Sequence, residues 1–186
     1  MPLTELIKLC PPPAVPVEPF RENRLEEIRH LYGLALPQEY VACGHTYGTG
    51  AFVGEDDHGI LIHNPFSSYY HKHVADDLEV ASIFFRDAKG ARTLLEQNNV
   101  DQARLFPLGR DTDVTYMYWV TDPDLSRWRI LLIFGEWENW LEVLDCGLCA
   151  FLAGYFASGL KVKTWQYREI NGRPPRYHFR DANSTD

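Results

Sequence analysis

At 186 residues the chain has the length of one ordinary domain, and with 45% hydrophobic and 13% aromatic residues it holds enough apolar material for a core, which excludes a disordered chain. The formal net charge of −8 argues against direct nucleic-acid binding, because phosphate contacts need clustered Lys and Arg. The same charge steers basic partners and keeps a cytoplasmic protein in solution.

In chain order, Leu3 to Leu9 is a short helix. Cys10 to Pro19 then carries five prolines, which fix φ and remove amide donors, so the spacing predicts an extended strap lying on the domain. Arg21 to Tyr32 places Leu25, Ile28 and Leu31 on one helical face, and Gly33 is a left-handed stop. Leu36-Pro37 starts a second helix that runs to Tyr47. Ala51 to Gly54 and Ile60 to His63 form two strands joined by an acidic turn, Glu55 to His58, with Gly59 after it. Tyr69 to Asn98 is mostly helical, with a strand or a break expected near the β-branched and aromatic run Val80 to Phe85. Arg104 to Leu108 is extended, Val114 to Val120 is a strand, and Thr121 to Ser126 is a turn. The continuous apolar run in Arg129 to Phe134 marks a central strand, against which Trp140 to Leu144 pairs back. Asp145 is expected to cap a core helix, Cys146 to Ser158, closed by Gly159. Beyond it, Asn171-Gly172 suggests a late hairpin, and residues 173–186 are expected to be loose. The organisation is thus an arm over residues 1–19, a domain over 20–160 and an extension over 161–186. Short links between strands make the sheet largely antiparallel, with about five or six strands.

The run Leu25 to Tyr40 contains Gly33 followed by Leu36-Pro37-Gln38-Glu39-Tyr40. It resembles the opening of the SUKH superfamily, in which a helix ends in Gly and Leu-Pro-x-(acidic)-Tyr begins the next. His45 to Gly50 is similar to the family's small-residue break before its first strand. Phe106-Pro107-Leu108-Gly109 resembles its strand entry, and Phe151-Leu152 its C-terminal helix. The resemblance spans about Phe20 to Gly159. It departs at Arg110 to Asp113, where the family often carries a Gly-Asp pair. It implies an α+β fold with a curved, mostly antiparallel sheet packed by N-terminal helices and a C-terminal helix. It also implies a binding module rather than an enzyme. The family includes bacterial immunity proteins that neutralise toxin domains, many of them nucleases, and a fungal regulator of cell-wall assembly.

Catalytic constellations fail on spacing. His71 and His73 face different ways on a helix. Cys146-x-x-Cys149 has zinc-type spacing but no second pair, so no metal and no cofactor is expected. Cys43 and His45 point about 200° apart on a helix. Asp111 and Asp113 are a lone Asp-x-Asp in a turn, usually solvated. The opening Met1 to Leu9 lacks a leader's apolar run, and Leu148 to Phe156 is too short to span a bilayer. The expectation is therefore a cytoplasmic, non-enzymatic protein with no membrane contact and free thiols at Cys10, Cys43, Cys146 and Cys149. Two acidic loops remain as contact surfaces: Glu55, Asp56 and Asp57 in one, and Glu136, Trp137 and Glu138 in the other. The expected partner is a toxin domain with a basic surface. The alternative is a scaffold or regulatory interaction domain.

Overall fold

The computed structural model describes residues 3–87, 91–134, 141–157, 159–160, 162 and 173–182. Six helices and seven strands form an α+β fold: α1 (Leu3–Leu9), α2 (Leu25–Tyr32), α3 (Gln38–Tyr47), β1 (Gly50–Gly54), β2 (Gly59–Ile62), α4 (Ser68–Asp87), α5 (Ala91–Gln97), β3 (Leu105–Asp111), β4 (Thr115–Val120), β5 (Arg129–Phe134), β6 (Leu141–Leu144), α6 (Leu148–Phe156) and β7 (Tyr177–Asp181). The strands make one open antiparallel sheet in the order β6-β5-β4-β3-β2-β1-β7.

Strand alternation explains why the central strands are apolar throughout. Met117, Trp119, Ile130, Leu132 and Phe134 face one core, shared with residues of α1, α3 and α6. Tyr118, Val120, Leu131 and Ile133 face a second, smaller core with Ala81, Phe84 and Leu95 of α4 and α5. The sheet is therefore covered on both sides, and the run Arg129 to Phe134 is central, as its composition predicts.

The proline strap lies on the domain. Thr49 N donates to Val17 O at 2.7 Å, Phe20 N donates to Gly44 O at 3.2 Å, and Val17 bridges Gly48. Gly48 has φ 74° and ψ −149°, and a Cβ there would collide with the Val17 carbonyl, so the close approach of strap and helix end needs glycine. Gly33 takes the expected left-handed conformation after α2.

Three expectations are corrected. No strand or break interrupts Val80 to Phe85, and α4 is one helix from Ser68 to Asp87. Ala81, Phe84 and Phe85 recur at helical spacing against the second core, and that burial overrides their strand preference. Asp145 does not cap α6. The helix begins at Leu148 with Gly147 as N-cap, and the Glu39 carboxylate from α3 accepts a hydrogen bond from the Leu148 backbone N–H. The tail is not loose throughout. Tyr177 to Asp181 pairs with β1 as a seventh strand, with Tyr177 and Phe179 packed against the main core and His178 and Arg180 exposed. The residues of the expected late hairpin turn, Asn171-Gly172, lie outside the described residues.

Candidate functional site: an acidic rim at the hairpin end of the sheet

The meander gathers its tight turns at one end. Ile60 pairs with Asp111, and Thr115 pairs with Phe134, so the β1–β2 and β3–β4 turns are neighbours there. Phe134 and Leu141, which flank the link between β5 and β6, stand at the same end, as does Tyr177 of β7 opposite Gly54. Glu136, Trp137, Glu138 and Trp140 of that link lie outside the described residues.

The first two turns are fastened together. Thr112 N donates to Gly59 O at 3.0 Å, and Gly59 N donates to Thr112 Oγ1 at 3.1 Å. His58, almost wholly buried, directs Nδ1 at Asp113 Oδ2, 3.3 Å away, with Thr112 Oγ1 at 3.4 Å from the same nitrogen. Asp111 Oδ1 accepts from Asp113 N at 2.9 Å and from Thr115 N at 2.7 Å, which folds the turn back over its own carboxylate. Burial raises the Asp111 pKa, against the lowering influence of its Thr115 hydrogen bonds and of His58. Both turns hold a non-glycine residue at positive φ: Asp57 at 61° and Val114 at 64°. For β-branched Val114 that conformation is strained.

The three acidic residues predicted on the first turn do different things. Glu55 is engaged by the chain itself. Arg173 Nη1 donates to Glu55 Oε2 at 2.8 Å, and Arg176 N donates to the same oxygen at 3.2 Å. These bonds lower the Glu55 pKa, the Arg173 side chain first. Asp56 Oδ1 faces the His58 N–H at 3.4 Å, and Asp57 is exposed. Asp113, whose side chain is 53% exposed, joins them on the rim. Its sequence signal was the Asp-x-Asp turn, whose adjacency to the first loop depends on the pairing of β2 with β3 across two intervening helices.

The His58 arrangement does not build a hydroxyl–base relay. In a nucleophilic triad the hydroxyl and the carboxylate address opposite ring nitrogens. Here Thr112 and Asp113 face the same one. Among the described residues, no group of three or more His, Cys, Asp or Glu side chains is placed to hold a metal ion. Cys43 and His45 are apart as expected: Cys43 meets Cys149 in the core, whereas His45 Nδ1 lies 3.1 Å from Phe20 O. Among the described residues, no helix is long and apolar enough to cross a membrane. No family model, curated protein or solved structure matches the chain.

Proposed function

We propose that this chain is a non-catalytic protein-binding domain that covers a basic surface of a partner through the acidic rim. One observation carries the reading: strand register brings Asp56, Asp57 and Asp113, from turns more than fifty residues apart in sequence, onto one edge of the sheet. Exposed carboxylates on a fixed rim speed encounter with a basic partner and suppress binding to acidic ones. The strands on either side of the Glu136, Trp137 and Glu138 link end at this same edge. The SUKH resemblance extends the proposal to an immunity role, in which the rim occludes the functional surface of a toxin domain such as a nuclease.

The test is co-expression with the C-terminal domain of a toxin encoded beside this chain. Protection of the cells and a co-purifying complex are expected. Charge reversal of Asp57 and Asp113 should then slow association by about tenfold or more and flatten its salt dependence. Protection without any change in the charge-reversed protein would move the interface elsewhere. Failure of both protection and complex formation would remove the immunity role.

A further inference from the structure

At the opposite end of the sheet, and independent of the rim, the start of α3, the β4–β5 turn and the start of α6 line an open cleft of about 590 Å³. It adjoins a polar depression of about 430 Å³, and Ser126 and Asp145 line both. Each falls in the range that holds small organic ligands, roughly 300–1,000 Å³.

The two halves differ in chemistry. Pro37, Leu125 and Trp128 give the larger half an apolar wall, and Leu125 is 38% exposed. Trp119 also lines it, and its indole N–H is buried with no hydrogen-bond partner. Trp128, by contrast, donates its indole N–H to Asp122 O at 2.8 Å. A buried donor without an acceptor is uncommon, because it forfeits its hydration without compensation.

The smaller half collects three guanidinium groups, Arg104, Arg127 and Arg129, in a chain that is acidic overall. Arg129 donates to Asn98 O at 2.8 Å. Among the described residues the Arg104 side chain has no ion pair or hydrogen bond, and Arg127 has the Asp124 carboxylate near it without a direct ion pair. Asp122 and Asp145 line the same depression, which leaves one positive charge in excess. That balance suits a monoanion better than a polyphosphate. Glu39, held at the α6 N-terminus, adds a further carboxylate to the apolar half and disfavours a second anionic group there.

We propose that this cleft binds a small monocarboxylate with an apolar or aromatic body, its carboxylate facing Arg104 and Arg127 and its body between Pro37, Leu125 and Trp128. The probe is phenylacetate, with neutral phenylacetamide as the isosteric control. The readout is the indole N–H resonance of Trp119 in a nitrogen-15 correlation spectrum, where the chain's five tryptophans give five such signals. Phenylacetate should shift the Trp119 signal saturably, and phenylacetamide should not. The double variant R104Q/R127Q alters exposed side chains, so its fold is checked by the unchanged remainder of its spectrum. It should weaken phenylacetate binding by about tenfold or more, the loss expected for charge-assisted hydrogen bonds. No shift up to millimolar phenylacetate, or equal shifts with phenylacetamide and in the double variant, would overturn the proposal.

Discussion

His63 Nε2 stands 2.5 Å from Asp77 Oδ2, and both side chains are almost wholly removed from solvent. The contact ties the end of β2 to the middle of α4, and a tyrosine hydroxyl bonds the backbone carbonyl of each partner. Tyr40 donates its hydroxyl to His63 O at 2.5 Å, and Tyr118 donates to Asp77 O at 2.6 Å. A buried pair of this kind contributes little beyond an apolar pair of the same volume, but losing one member strands the other. Asp77→Ala is therefore expected to cost about 3–5 kcal/mol in urea denaturation. Asp77→Asn, which keeps an acceptor, should cost less. The double replacement His63→Leu with Asp77→Leu should recover much of the single-variant loss. A single Asp77→Ala variant as stable as the parent would show that the pair does not hold α4 in place.

Much of the helical and strand order is legible from local signals: Gly33 as a stop, Pro37 at a helix start, and the continuous apolar run of β5. What is not legible depends on partners distant in the chain. The run Val80 to Phe85 looks strand-like until the second core gives Ala81, Phe84 and Phe85 a common face. The N-terminus of α6 is served by Glu39, about a hundred residues earlier, so no cap near Asp145 could announce it. The rim is half legible. Its first turn is an acidic run in plain view, but the loss of Glu55 to Arg173 and the arrival of Asp113 both follow from strand pairing.

Two carboxylates at the rim give opposite responses to pH. The Arg173 hydrogen bond lowers the pKa of Glu55, so its stabilising contribution is present above the unfolded-state value and is lost as pH falls through the folded-state value. Burial raises the pKa of Asp111, so the native state binds more protons between the two values and stability falls as pH rises through that window. Asp111→Asn retains an acceptor for the Thr115 and Asp113 amides while removing the buried charge. It should raise stability at neutral pH and narrow its difference from the mildly acidic value. A pH–stability profile that is unchanged by Asp111→Asn contradicts a destabilising charge there.

Cys10, Cys43 and Cys146 are expected to be poor nucleophiles in the native protein, and Cys149 is shielded by burial. Burial pushes the Cys10 thiol up to about 12 and the Cys146 thiol to about 11. Cys43 is raised by its hydrogen bond with Cys149 and by burial. The thiolate is the reactive form, so little of it exists near neutral pH. A thiol reagent at mildly alkaline pH should react slowly with the folded chain, half-buried Cys146 first, and with all four cysteines once denaturant is added. Rapid labelling of Cys10 or Cys149 without denaturant would show an opening of the α1–α6 packing.

Val114 carries the strain of the rim. Its φ of 64° places a β-branched side chain in the left-handed region, 44% exposed and with little packing to compensate. Glycine adopts that conformation freely, at the cost of a more flexible unfolded chain. The balance favours Val114→Gly by about 1 kcal/mol. For a domain of this size the variant should raise Tm by about 2–4 °C in a thermal melt. Val114→Ile keeps the strain and should give no gain. If the rim is the docking edge, the strain holds Asp113 beside His58, and the glycine variant should bind a basic partner more weakly even as its Tm rises. A variant that is both more stable and equally tight would show that Val114 shapes the turn without serving the surface.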